Sequence, residues 1–569
     1  MIVDELARER IRESIHLPNL ALSSANPSDA SMKWWHHAVV YQVYLKSFAD
    51  ANGDGVGDVA GLIGRLEYLK ELGVDALWIS PWFVSPMVDG GYDVQDYFNI
   101  DPLFGSLDDA QTLIDQCHEL GLRVILDMVA NHCSDQHPWF QTALAAPANS
   151  KERDWFYFKD GQGAGGNEPP NDWKSIFGGP AWTQTLNADG SGGQWYLNLF
   201  DSSQPDLNWK NDEVLAQFDT ILRYWFDRGV DGLRLDAVAA IGKDDDYRDM
   251  GFAPGDLYRP DIWGPVPFFD ADGVHGVLRR WRAIAREYPS EKFLVGEVPV
   301  RDVDRLANYL RSDELHSTLS FEMSKIGWSA RAFRNMADTL HGATFQDHSW
   351  KTWTLSSHDE KRTVTRYSSG DDAGGESTFD VTLGDQRARA AYLLALALPG
   401  SACIYQGEEL GLSEVLDIPT DLLQDPVYFR TGQQALGRDG CRVPLPWDSD
   451  GSTFGFSSHH ESWLPQPKSW SDISIAQQRV DESSTLRFFQ SVLKLRSTAF
   501  DTNEWDITWE LAPEGVLILR RGPHFRCVVN FSGAPWLLGD DDSVLVSSSP
   551  LGGRREIGRN NGAWLRSKD

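Results

Sequence analysis

The sequence has 569 residues, more than one ordinary domain, and its 41% hydrophobic residues suffice for a large core. Its 83 acidic against 52 basic residues give a formal charge of −31, which argues against nucleic acid or an anionic membrane as a partner. Five cysteines without CxxC spacing support neither a disulfide framework nor a zinc site and point to reduced thiols in the cytoplasm.

Residues 1–15 are charged throughout and lack the apolar stretch of a signal peptide. No run of eighteen apolar residues occurs, so no transmembrane span is expected. Residues 1–32 read as an N-terminal extension, a short amphipathic helix followed by a linker. From Trp34 onward short apolar runs read as buried parallel strands: 38–48, 74–80, 122–129, 230–238, 292–298, 315–323, 351–359 and 401–407. Helical patterns separate many of them. In the clearest, 106–120, Ser106 and Asp109 have capping-box spacing, and Leu113, Ile114, Cys117 and Leu120 form one apolar stripe before Gly121. Eight such strands imply an α/β fold, a (β/α)₈ TIM barrel.

Two interruptions are too long for plain loops. Residues 132–203 read as a lobe inserted after the third strand, and 408–470 follow the eighth. A helix over 484–497 closes the barrel, and strand-like runs at 516–522 and 524–533 mark a small β domain. The expected organisation is a barrel of 33–131 and 204–502, an inserted lobe of 132–203, and a C-terminal all-β domain of 503–569.

Chemistry in such barrels sits at the C-terminal ends of the strands. The third strand ends on Asp127 to His132, the fourth on Arg234 and Asp236, the fifth on Glu297, and the seventh on His358 and Asp359. Converging carboxylates repel one another, so a function must compensate.

These segments resemble the ordered signatures of the α-amylase family, glycoside hydrolase family thirteen. The segments are Asp127–His132, Gly232-Leu-Arg234-Leu-Asp236, Gly296-Glu297-Val298 and Ser357-His358-Asp359; Gln204-Pro-Asp-Leu-Asn208 resembles a further motif of its oligo-1,6-glucosidase and α-glucosidase subfamily. The resemblance implies a nucleophile at Asp236, an acid/base at Glu297 with a raised pKa, and a third carboxylate at Asp359. Arg234 would orient Asp236, and His132 and His358 would donate hydrogen bonds to the same sugar. Asp89-Gly-Gly-Tyr92-Asp93 resembles the terminal-glucose motif, with Gly90 in place of the usual Asn. By that resemblance Tyr92 stacks under the ring, while Asp89 pairs with Arg442 and makes the pocket exo-acting. Arg442 lies in a variant of the usual Arg-Thr-Pro-Met-Gln-Trp; Phe177 and Phe200 match pocket aromatics. Ala237, next to the nucleophile, stands where Val accompanies α-1,6 preference and smaller or hydroxylated residues α-1,4 preference.

Asp50, Asn52, Asp54 and Asp58 place oxygens as in the first half of an EF-hand loop, though no helix precedes and Gly61 holds the twelfth place. The subfamily resemblance implies a structural Ca²⁺ here, with the Val56 carbonyl as a further ligand; no organic cofactor is expected. The implied function is retaining, exo-acting α-glucosidase action on α-1,4-linked, maltose-like oligosaccharides. The alternatives are an oligo-1,6-glucosidase or dextran glucosidase, or a relative that transfers or isomerises, such as a trehalose synthase or sucrose isomerase.

Overall fold

The computed structural model describes residues 33–567, except 188, 254–255, 261–262, 301, 346–349, 370–378, 502–504, 532 and 552–554. The reading of residues 1–32 lies outside the described residues.

Eight parallel strands close into a barrel in sequence order: β1 (Val39–Val43), β2 (Ala76–Ile79), β3 (Arg123–Val129), β4 (Gly232–Asp236), β5 (Phe293–Gly296), β6 (Ser317–Ser320), β7 (Trp350–Thr354) and β8 (Ser401–Tyr405), which pairs with β1. Every residue of β1, β4, β5, β6 and β8 is buried. That is why these strands read as continuous apolar runs: helices cover their outer face and side chains fill the inside. The expected TIM barrel is the fold formed.

The surrounding helices follow ordinary start and stop chemistry. Leu107–Glu119 begins with the expected capping box, in which Ser106 Oγ accepts from Asp109 N and the Asp109 carboxylate from Ser106 N. Its buried face is Ala110, Leu113, Ile114 and Cys117, and Gly121 takes φ +75° just beyond its end. Thr485–Ala499 sits against the N-terminal end of the barrel, where buried Arg496 donates to the carbonyls of His37, Leu396 and Gly400.

After β3 the chain builds a three-stranded antiparallel sheet from Phe158–Lys159, Trp182–Leu186 and Gly192–Leu197. After β8, residues 408–470 hold only short turns and the five-residue helix Pro426–Arg430. Trp447 Nε1 ties this stretch back to the Phe48 carbonyl at 2.7 Å. The last part of the chain is a five-stranded antiparallel sheet between Ile507 and Ser567. It is joined to the helix Val381–Ala397 by the bond from Trp564 Nε1 to the Leu393 carbonyl. All five cysteines are buried and unpaired. Among the described residues, no helix is long and apolar enough to cross a membrane.

Candidate active site

The strand ends bring four carboxylates to one mouth, and a buried arginine organises three of them. Arg234, third residue of β4, is fully buried, with its guanidinium 4.9 Å from the Trp78 ring. Its Nη1 donates to Asp127 Oδ1 at 2.9 Å and to Asp236 Oδ1 at 2.6 Å, and its Nη2 to Glu297 Oε2 at 2.6 Å. Arg234 and Asp236 lie two apart on one strand, so their side chains share a face. Glu297 follows the last residue of β5 and also accepts from Ala237 N at 3.2 Å. Asp127 is pinned further by Trp78 Nε1 and the Tyr92 hydroxyl, each at 2.9 Å.

One guanidinium cannot neutralise this many carboxylates. Burial raises Asp127 to about 6, against the pull of Arg234. Burial, with the charges of Glu297, Asp127 and Asp359, lifts Asp236 well above the ordinary carboxyl range, again against Arg234. Burial and mutual repulsion thus favour the protonated form of both Asp127 and Asp236.

Asp359 follows β7 and lives in the opposite field. Burial opposes its charge, but the paired cations Arg438 and Arg442 outweigh burial and hold the carboxyl below its ordinary value. Arg438 Nη1 and Arg442 Nη2 both donate to Asp359 Oδ1 at 2.9 Å. His358 itself is pushed well down by burial and is neutral. The Gln42 amide donates to its Nδ1 at 2.6 Å, which leaves the imidazole proton on Nε2, 3.1 Å from Asp359 Oδ2. Tyr92 stacks on one face of this ring at 5.2 Å and Tyr44 on the other at 5.8 Å.

The carboxylates open into a cavity of about 280 Å³. Asp236, Glu297 and Asp359 line it, with Asp89, Tyr92, His132, Phe177, Phe200 and Ala237. The face of Tyr92 away from His358 is the one available to a ring. His132, held by burial at a pKa of about 3, is neutral, and its Nε2 lies 3.1 Å from the Tyr92 carbonyl and from Gln204 Nε2. Phe177 and Phe200 meet edge to face at 5.5 Å and wall one side.

One expected pairing is corrected. Arg442 does not pair with Asp89; Arg438 does, with Nη2 donating to Asp89 Oδ1 at 2.7 Å. Arg442 lies outside the cavity lining, only 3% exposed, and is spent on Asp359 and the His358 carbonyl. The two arginines flank the single turn Asp439–Cys441, and only the first reaches the cavity. Sequence reading passed over Arg438, although it lies in the same segment. Gln204 completes the Asp89 end, donating to Asp89 Oδ2 at 3.0 Å. Gly90, in place of the usual Asn, has φ +60°, and a Cβ there would meet the Tyr44 hydroxyl at 2.7 Å. The remaining wall is apolar, made by Ile176, Pro260, Phe269, Pro299 and Val427, none of which sequence reading singled out. Four sit in long loops and Val427 in the five-residue helix Pro426–Arg430, where no periodicity marks a lining residue.

The Asp50–Asp58 loop lies after β1 and is a self-capped turn. Asp50 Oδ1 accepts from Gly53 N, Asn52 Oδ1 from Asp54 N, Asp54 Oδ1 from Val56 N, and Asp58 Oδ1 from Gly61 N. Each of these four oxygens has one bond drawn and a second lone pair to offer. The loop offers oxygen donors of the type a hard cation takes, though the three aspartates are not gathered around one point. Among the described residues, no group of three or more His, Cys, Asp or Glu is arranged to hold a metal.

A family model described as alpha amylase, catalytic domain, matches residues 42–503. A probable alpha-glucosidase of Rhizobium meliloti (strain 1021) is 37% identical, over 81% of this chain and 82% of its own. An oligo-1,6-glucosidase of Heyndrickxia coagulans is 33% identical, over 82% and 85%. Among solved structures, an alpha-glucosyl transfer enzyme, XgtA, shares 34% identity with a TM-score of 0.82, covering 95% of this chain and all of that one. The trehalulose synthase MutB from Pseudomonas mesoacidophila MX-45 gives 0.82 at 27% identity, over 95% and 100%. Barrel, carboxylates and relatives together define a glycoside hydrolase. The chain belongs to the α-amylase family, on the branch that carries the α-glucosidases and oligo-1,6-glucosidases.

Burial, opposed by Arg438 and Arg442, also raises Asp89 to about 6. Above that pH the Asp89–Arg438 pair is ionic; as pH falls through about 6 it is discharged, along with Asp127. The acidic limb of kcat/KM should therefore lie near pH 6, not near the ordinary carboxyl value of about 4. These raised groups bind protons more readily folded than unfolded, so their protonation should not itself lower Tm over that window. A kcat/KM profile flat from pH 7 down to pH 5 contradicts this reading.

Proposed function

We propose that this chain is a retaining, exo-acting α-glucosidase that releases terminal α-1,4-linked glucose from maltose-like oligosaccharides. The observation that carries the proposal is the Arg234-centred carboxylate cluster in a cavity that Asp89 and Arg438, paired at 2.7 Å, also line. In this reading that pair blocks the pocket beyond one terminal glucose, which favours exo over endo cleavage.

In this scheme Asp236 attacks the anomeric carbon as Glu297 gives its proton to the departing glycosidic oxygen. That forms a covalent glucosyl-enzyme with inverted configuration. Water, deprotonated by Glu297, then displaces Asp236 and restores the α configuration. Asp359, kept ionised by two arginines, accepts from ring hydroxyls, and Tyr92 carries the apolar face of the sugar. An arrangement of the same residues that admitted a sugar acceptor instead of water would transfer or isomerise.

Linkage preference rests on Ala237. It lines the cavity directly after the nucleophile and takes φ +44°, ψ +41°. Its methyl leaves room beside Asp236 that an α-1,4 aglycone, attached directly to its own ring, needs. Val would fill that room, and as a β-branched residue at positive φ it would add backbone strain. Product chromatography from maltose, isomaltose, sucrose and trehalose should show hydrolysis of maltose well ahead of isomaltose. Ala237→Val should shift the maltose-to-isomaltose ratio of kcat/KM toward isomaltose by about 1–3 kcal/mol, the scale of steric discrimination by small apolar groups. The ratio is insulated from loss of folded enzyme, because both substrates meet the same sample. Isomaltose preference in the wild type overturns the linkage claim, and transfer products alone overturn hydrolysis.

We also assign a structural Ca²⁺ to Asp50, Asn52, Asp54, Asp58 and the Val56 carbonyl, on the four half-used oxygens of that turn. The five buried, unpaired cysteines support a cytoplasmic setting. An ion that binds only the native state stabilises by about 2.7 kcal/mol at a hundredfold excess over Kd. Tm should fall on chelation with EDTA and return with calcium, and Asp54→Ala should abolish the response. A Tm indifferent to both, with no calcium found in the purified protein by elemental analysis, contradicts the assignment.

A further inference from the structure

The bridge formed by Asp89, Arg438 and Asp359 has a fourth member that does not touch the cavity. Asp425 is 1% exposed and precedes the helix Pro426–Arg430. Its Oδ2 accepts from Arg438 Nε at 2.5 Å and from Arg438 N at 2.8 Å. Its Oδ1 accepts from Val427 N at 2.8 Å, capping the helix, and lies 3.3 Å from Arg438 Nη2. Arg442 Nη1 stands 3.8 Å from the same carboxylate. The backbone of Asp425 is itself fixed, since Asp439 Oδ2 accepts from Asp425 N at 3.0 Å and Gln424 N at 2.7 Å. Gly437 has φ +74°, and a Cβ there would meet Asp425 Cβ and Cγ at 2.7 Å; the bare backbone lets the carboxylate sit close.

This arrangement uses the geometry of the guanidinium. Arg438 spends Nε on Asp425, Nη2 on Asp89 and Nη1 on Asp359. A planar fork gripped at Nε has its two outer nitrogens aimed, so the orientation of the pair facing the sugar is decided from behind. The other oxygen of Asp425 fixes the helix whose Val427 forms part of the cavity wall. We infer that Asp425 is a positioning residue for the proposed reaction: one buried carboxylate, outside the cavity lining, sets both the arginine that pairs with Asp89 and the apolar wall beside it. The inference rests on the glucosidase reading.

The test separates this role from simple helix capping. Asn caps helices as well as Asp, so Asp425→Asn keeps the cap and the shape and removes the charge that grips Arg438. Asp425→Glu keeps the charge but moves it by one methylene. Both variants should raise KM for p-nitrophenyl α-glucoside and Kd for glucose by about tenfold, the cost of one charge-assisted hydrogen bond, while kcat falls much less. In an Arg438→Ala background, Asp425→Asn should add almost nothing to KM, because the residue it aims is gone. A folded Asp425→Asn protein with wild-type KM and Kd, or effects that add fully to those of Arg438→Ala, overturns the inference while leaving the glucosidase reading intact. Wild-type protein that neither binds glucose nor turns over the aryl glucoside overturns both. Should the Asn variant fail to fold, the Glu variant carries the same comparison.

Discussion

The site depends on one buried cation. Arg234 is wholly enclosed in the barrel and bonds to Asp127, Asp236 and Glu297 at once. Without it, buried Asp127 and Asp236 and half-buried Glu297 would face one another with nothing to offset their repulsion. With it, burial and mutual repulsion still raise Asp127 and Asp236 above the ordinary carboxyl range. The barrel supplies what such a pairing requires: β3, β4 and β5 are hydrogen-bonded neighbours in register, so residues at their ends meet without strain from loops.

A second cationic group works in the opposite sense. Arg438 and Arg442 hold Asp359 ionised, while Arg438 also reaches Asp89. Asp359, in contact with two arginines, is held below its ordinary value, whereas Asp89, Asp127 and Asp236, each in contact with one, are raised by burial. The difference comes from how many cations each carboxylate touches, not from the residue type, which is Asp in almost every case.

The barrel strands were legible because each is a short apolar run buried on both faces, as Gly232–Asp236 shows. The Arg234 cluster was legible for the same reason: Asp236 and Arg234 sit at fixed offsets on a strand, and strand geometry decides where they point. The arginines around Asp359 and Asp89 were not. Arg438 and Arg442 lie four residues apart in an irregular segment, and the turn Asp439–Cys441 decides which one enters the cavity. Composition is silent on that, and resemblance to the usual motif favoured the wrong arginine. The apolar lining from Phe269, Pro299 and Val427 was equally unreadable, because loops and a five-residue helix carry no period that reports which side faces a cavity. Gly90 shows the converse: where the family usually has Asn, a Cβ in this chain would lie 2.7 Å from the Tyr44 hydroxyl.

The account stands on Asp236 acting as a nucleophile within reach of the acid Glu297, held together by one guanidinium. That arrangement has a stereochemical consequence that no other property of the site imitates. The decisive measurement is proton NMR of the anomeric signals during the first minutes of maltose hydrolysis, before mutarotation. The account predicts that the newly released nonreducing-end glucose emerges as the α anomer, through two successive displacements. Release as the β anomer would mean a single displacement by water, with Asp236 never bonded to sugar, and would contradict it.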